Sequence, residues 1–423
     1  MLKTLAQLVS AQEGGEAAVQ GCISNFLEAA GCEVEQFQYQ PSSTRREREF
    51  GRIASSDFQE RTVVAGRLRG SPELPSLIAF AHPDTESPFG LDQLNTDPFS
   101  AKSHRGRIYG WGVADDLAGC AAGLAAIDEI SSFGAPRGDI VFASAPSKRS
   151  ARGIVEYLDR RRADACLYLH PAESGNGMKE IKAASPGQLQ FEFHIPGQPP
   201  DTSEPCQTPF SHLGRNPVDD AIALCECLAN FAEERCSRIR YPPIEERVGR
   251  STNLHVSEIR TGAEGDLSRI PDHCILGGAI CFPPVEDLAE VMREFERATC
   301  RFNEADERRR SNPVSLSWIS GSSGAEIKES HPLYRIAHEA IENSTGTAPE
   351  YYPLHAASDI RFPIALHSIP CVGFGCLAGN LANNGFANEW VGIESYFQMI
   401  EASMRIMASW SSGEWKLQGT QKN

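Results

Sequence analysis

The chain has 423 residues, 41% hydrophobic and 23% charged, which is ordinary globular composition at a length that favours two domains over one core. A net charge of −16 excludes nucleic acid and anionic membrane as main partners. No window approaches the roughly 18 apolar residues of a spanning helix, and Met1-Leu2-Lys3-Thr4-Leu5-Ala6-Gln7-Leu8-Val9 has no secretory core or cleavage site, so a cytoplasmic location is expected.

In chain order, Ser76–Ala81 is a short apolar run of buried-strand type, and Leu117–Ile130, rich in Ala, Leu and Gly, predicts a helix packed tightly beneath it. Asp139–Ser144 and Ala165–Leu169 predict further central strands, with a helix over Gly153–Arg160 between them. This alternation predicts an α/β domain around a mostly parallel sheet. Near Ser185 the texture changes. Gln188–Ile195 alternates with period two, as a half-exposed strand does. A helix over Pro217–Glu234, strands near Asn253–Ile259 and Cys274–Phe282, and a helix over Glu286–Glu304 complete a small α+β domain. The polar stretch Asn303–Asn312 is expected as the surface return segment. From about Ser320 the α/β texture resumes, with a helix near Leu333–Ile341 and a strand at Pro370–Gly375. The predicted division is 1–183 with 319–423 as a discontinuous α/β domain, and 184–318 as the inserted one. Thirteen cysteines include only one close pair, Cys225 and Cys227, and no Cys-x-x-Cys, so buried reduced thiols are expected rather than a thiolate metal site.

Chemistry concentrates at Ala81-His82-Pro83-Asp84 and at Gly110-Trp111-Gly112-Val113-Ala114-Asp115-Asp116. A histidine at the end of a buried strand opens into the crevice where doubly wound sheets bind ligands. Asp84, two residues on, lies on the same side of an extended segment and can orient the imidazole. Asp115 sits at a strand-to-helix junction, where it can cap the helix and still offer an oxygen to a cation. His with Asp suits zinc. Alone, each is more often a hydrogen-bonded side chain or a plain cap; the conjunction is what carries weight.

The stretch from His82 to Gly119 resembles the zinc metallopeptidase family of aminoacylase, acetylornithine deacetylase, succinyl-diaminopimelate desuccinylase and carboxypeptidase G. These enzymes carry His-x-Asp and then a Gly-x-Gly-x-x-Asp segment whose Asp bridges two zinc ions. Arg269-Ile270-Pro271-Asp272, Ser358-Asp359-Ile360-Arg361 and Asn388-Glu389-Trp390-Val391 extend the likeness over most of the chain. The resemblance implies that the inserted domain is a lid, commonly used to form a homodimer.

Where the family has Glu-Glu, a general base and a ligand of the second zinc, this chain has Lys148 and Arg149. Where it has a carboxylate ligand of the first zinc followed by Pro, this chain has His170-Pro171. Its late histidine, the other second-zinc ligand, falls at Gly385. The resemblance then implies one zinc held by His82, Asp115 and His170, with Arg149 beside Asp115 in place of a second ion. A metal-free pocket, with positive charge at 148 and 149 repelling ions, is the open alternative. Asp84, Lys148 and Glu173 are the catalytic candidates, with Asp116 as a further base. Arg149, Arg152, His212, Arg269 and His355 are candidates for binding substrate, although His212, Arg269 and His255 are more often ordinary surface residues. Two functions stay open. One is a metallopeptidase-like amidohydrolase acting on a C–N bond of a small, anionic acylated amino acid or related metabolite. The other is a non-hydrolytic member of the scaffold, a binding protein or small-molecule synthase.

Overall fold

The computed structural model describes residues 1–46, 48–51, 59–85, 97–148, 150–171, 174–379 and 389–416. The chain divides into two compact units, one of Met1–Arg45, Ile53–Ala184 and Glu326–Asn423, the other of Arg46–Arg52 and Ser185–Ala325.

The first unit is built on an eight-stranded sheet in the order Glu33–Tyr39, Arg61–Leu68, Ile140–Ser144, Leu77–Ala81, Ala165–Leu169, Cys371–Phe374, Glu180–Lys182, Glu350–Tyr352. Its centre is parallel: Leu77–Ala81 pairs in parallel with Ile140–Ser144 on one side and Ala165–Leu169 on the other, and the latter with Cys371–Phe374. Every residue of those first three strands is buried, as expected of strands covered on both faces. Successive side chains go to opposite layers. Leu77, Ala79 and Ala81 join the core shared with helices Leu2–Ala11, Glu16–Ala29, Ala118–Ser132, Pro332–Thr345 and Ile393–Ser412. Ile78 and Phe80 join the core shared with Gly153–Arg160 and Arg361–His367. The small residues of Ala118–Ser132 let it lie close on the sheet; a Cβ at Gly123 would come within 2.2 Å of the Phe142 ring. The fold is therefore mixed α/β around a large, mostly parallel central sheet.

The second unit is a five-stranded antiparallel sheet in the order Asn253–Thr261, His273–Phe282, Gly187–Pro196, Ser315–Ser322, Glu49–Gly51. Gly187–Pro196 alternates between buried and more accessible positions, as its sequence does. Its inner face packs on helices Pro217–Arg238 and Leu288–Glu304 around Phe191, Phe193 and Phe295. The second helix begins later than expected because Asp287 caps it, accepting hydrogen bonds from the backbone N–H groups of Ala289 and Glu290.

Three expectations are corrected. The stretch Asn303–Asn312 is no return segment: it holds the short helix Glu307–Ser311 and is followed by strand Ser315–Ser322 of the second unit's own sheet. That strand carries the unit to Ala325, beyond the expected boundary at 318. Glu49–Gly51, from the early chain, adds an edge strand to the same sheet, pairing with Ser320–Ser322. Three residues are too short for any periodic signal.

Candidate metal centre

Leu77–Ala81 and Ala165–Leu169 end side by side, and the next residue of each is a buried histidine, His82 and His170, both 2% exposed. Between them comes Asp115 from the irregular turn Val113–Leu117 ahead of helix Ala118–Ser132, joined to Asp116 by a cis peptide bond. Gly112 enters that turn with φ of +71°, and a Cβ there would collide with the Thr85 side chain at 2.0 Å, so only glycine fits. One oxygen of Asp115, Oδ1, lies 3.0 Å from His82 Nε2 and 3.2 Å from His170 Nε2. Ligand atoms of the three residues all fall within 4.8 Å of one another. Two imidazole nitrogens and a carboxylate oxygen are the donor chemistry of a zinc site, so the residues fit such an ion.

The cluster is wired to its surroundings by charge. Lys148 Nζ pairs with Asp115 Oδ2. Arg149, the expected neighbour of Asp115, lies outside the described residues, as do Glu173 and Gly385; Lys148 sets a positive charge on that carboxylate. Asp115 makes no side-chain cap to the following helix, contrary to expectation, because both its oxygens face the histidines and the lysine. His82 Nδ1 lies 2.9 Å from the backbone carbonyl of Asp84 and 3.4 Å from its carboxylate, so Asp84 orients the ring chiefly through its main chain. The Asp84 carboxylate instead accepts from Arg61, at 2.7 Å, and from the Ser147 backbone N–H, at 2.8 Å. Arg61 also forks onto Glu16.

Proton affinities follow this network. Burial alone would push the Asp115 carboxyl up, but hydrogen bonds from His170 and His82 and the Lys148 charge hold it well below the usual range. Burial would lower His82, and hydrogen bonds to Asp115 and Asp84 hold it well above the histidine range instead. Asp84 is lowered against its burial by His82 and Arg61. Asp116, fully buried, accepts the His82 backbone N–H at 3.2 Å, and desolvation pushes its carboxyl up to about 6. Its close seat depends on Gly119, where a Cβ would meet Asp116 Oδ1 at 2.3 Å.

The remaining candidates divide. His355 belongs to the same neighbourhood: its ring lies 5.5 Å from that of His170. Desolvation, then Lys182 and His170, hold it well below the usual range. Arg152 starts helix Gly153–Arg160 with φ of +51° and donates to the Ser150 carbonyl, a local structural contact. His212 and Arg269 belong to the second unit and are exposed; Arg269 sits 3.6 Å from Asp266. Two buried charges of the cluster were not anticipated. Arg61 opens a strand and reads as a solvated end, and Lys182 interrupts the apolar run Ile181-Lys182-Ala183-Ala184, the one textual hint it offers.

A doubly wound α/β unit with a His/Asp/His cluster at the C-terminal ends of its parallel strands has the architecture and donor set of a metallohydrolase. The family model described as Peptidase family M20/M25/M40 matches residues 81–409, and the chain belongs to this family. A succinyl-diaminopimelate desuccinylase from Cupriavidus necator is 27% identical over 320 residues, covering 72% of this chain and 76% of that protein. Another from Cupriavidus pinatubonensis is 29% identical over 207 residues, 47% of this chain, so that the chain spans only 50% of that relative's length. In fold, the chain is similar to an M20 family metallo-carboxypeptidase from Sulfolobus solfataricus, with a TM-score of 0.70 at 14% identity, covering 97% of this chain and 99% of that one. It is also similar to a dinuclear metal-binding M20 peptidase from Bacillus subtilis, with a TM-score of 0.56 at 13% identity over 93% of this chain and 92% of that one. No helix of the described residues is long and apolar enough to cross a membrane.

Proposed function

We propose that this chain is a one-zinc amidohydrolase that cleaves the C–N bond of a small acylated amino acid or related anionic metabolite. The observation that carries this is the convergence of His82, Asp115 and His170, with ligand atoms within 4.8 Å. When bound, a zinc ion supplies Lewis acidity toward an amide carbonyl and makes water more acidic. The chain's own residues do the rest. Asp84 fixes the His82 ring through its carbonyl. Lys148 engages the second oxygen of Asp115, which in a two-ion site would face the other ion, so the reading stops at one. Lys148 is 19% exposed and its ammonium is a positive charge next to the cluster, suited to an anionic group of the substrate. The desuccinylase relatives make N-succinyl and N-acetyl amino acids the first substrates to try. We also propose a homodimer formed by the second unit through its edge strand Asn253–Thr261; light scattering should give about twice the 46.2 kDa chain mass.

The Lys148–Asp115 pair also favours a second reading, a metal-free scaffold that binds an anionic ligand without hydrolysing it. Metal analysis of protein purified without chelator, together with hydrolysis assays before and after zinc addition, separates the two. One zinc per chain and zinc-dependent cleavage support the amidohydrolase. No bound zinc and no cleavage, with an N-succinyl amino acid still bound intact, moves the assignment to the scaffold.

A further inference from the structure

The first unit carries a second, small sheet in the order Ala378–Gly379, Trp390–Gly392, Arg107–Tyr109, Lys102–His104. Its outer hairpin reads Lys102-Ser103-His104-Arg105-Gly106-Arg107, a run of basic side chains in a chain whose net charge is −16. Arg105 and Gly106 make the turn, with φ of +49° and +75°. Glycine takes that backbone freely and arginine only at a cost, so the turn itself does not call for Arg105.

Beside the hairpin lies a cavity of about 390 Å³, within the usual range for small-molecule sites. Its wall includes Arg105, Arg107, Lys179 and Trp390, and none of its lining residues belongs to the His82–Asp115–His170 cluster. The Arg107 guanidinium sits over the Trp390 ring, 3.7 Å from its centroid. The indole is seated in turn on Gly379, where a Cβ would come within 2.2 Å of it. Stacking holds the guanidinium without using its N–H donors. Among the described residues, Arg105, Arg107 and Lys179 make no ion pair and no side-chain hydrogen bond. Other exposed arginines of the unit are paired, Arg67 with Asp139, Arg69 with Glu33 and Arg161 with Glu35.

The described lining residues include one carboxylate, Glu394, which leaves the wall with two net positive charges. Ser395 Oγ accepts the Leu377 backbone N–H at 2.8 Å and keeps its own proton to donate. Helix Ile393–Ser412 opens on the same wall without a side-chain cap, and its N-terminus adds partial positive charge. We infer that this cavity is a binding site for a small phosphate monoester. Such a dianion, at about −2 near neutral pH, matches the excess charge of the wall. Its oxygens suit the planar N–H fork that Arg107 presents. This assignment does not rest on the zinc reading.

The test is calorimetric titration of the full chain with methyl phosphate and with methyl sulfate, which has the same shape and one charge fewer. Methyl phosphate should bind at one site per chain, and methyl sulfate about 10-fold more weakly. Arg107→Gln should weaken methyl phosphate binding by about 10- to 100-fold, the size of a lost hydrogen bond to a charged group. Arg107→Lys, which keeps the charge and loses the fork, should fall between. Lys179→Gln should weaken binding about 10-fold and carries the test if Arg107→Gln fails to fold. Lys148→Met, beside the metal cluster, should leave it unchanged. In an indole N–H spectrum of the ¹⁵N-tryptophan protein, the Trp390 signal, assigned by its loss in Trp390→Phe, should move on addition of methyl phosphate while that of Trp318, in the second unit, stays. A Trp390 signal that does not move at millimolar methyl phosphate overturns the inference. So does equal affinity for methyl sulfate, full affinity in folded Arg107→Gln or Lys179→Gln, or loss of binding in Lys148→Met.

Discussion

The two units handle buried charge differently. In the first, His82, Asp84, Asp115, Asp116, His170 and Lys182, each at most 2% exposed, crowd around the ends of two neighbouring strands. In the second, the core is built from Phe191, Phe193, Phe295 and aliphatic side chains on alternating strand positions, and charge is largely kept to the periphery. Its main exception, Arg235 at 1% exposure, is neutralised within its own unit by Glu286 and Glu294. The second unit reads as packing chemistry throughout. The first accepts desolvated ions that no stability argument requires, and such ions mark a site built for work.

The strongest way to break this contrast is to remove ligands. His82→Ala or Asp115→Ala should abolish zinc binding in a calorimetric titration, whereas His212→Ala and Arg269→Ala, in the second unit, should leave it unchanged. Loss of binding in either of the latter would mean the second unit holds part of the metal site.

Next in size is stability. Arg61→Met leaves Asp84 and Glu16 without their shared guanidinium, and removal of one partner from a buried pair costs about 3–5 kcal/mol, read from urea unfolding. Phe295→Ala, in the second unit's core, should cost a similar amount, about 3–5 kcal/mol, as a cavity rather than a stranded charge. The two differ in a second readout: Arg61→Met should also weaken zinc binding, through Asp84 and His82, and Phe295→Ala should not.

A smaller effect isolates orientation from charge. Asp84→Asn keeps the backbone carbonyl that faces His82 but loses the carboxylate held by Arg61 and Ser147, so zinc affinity should fall at the low end of the 10- to 100-fold range for outer-layer changes. A 100-fold loss or more would mean that the carboxylate, not the carbonyl, sets the ring. The smallest expected change is Asp287→Ala, which removes the cap of Leu288–Glu304 and should cost about 1 kcal/mol with no effect on zinc.

Sequence alone determined the continuous apolar strands Leu77–Ala81, Ile140–Ser144 and Ala165–Leu169, the Gly- and Ala-rich helix beneath them and the alternating strand Gly187–Pro196, because burial on two faces or one writes its period directly into the residues. It also singled out His82 and Asp115, which follow a strand or open a helix where a reading of topology predicts a crevice, and the family resemblance added His170. What it missed has no local period. Glu49–Gly51 is a strand only because Ser320–Ser322 lies beside it. Lys148 meets Asp115 through the direction of its side chain in a turn, which depends on backbone angles that no residue pattern encodes. Arg61 and Lys182 are charges in buried surroundings, and only the tertiary structure, by bringing acceptors from segments distant in the chain, made their burial possible.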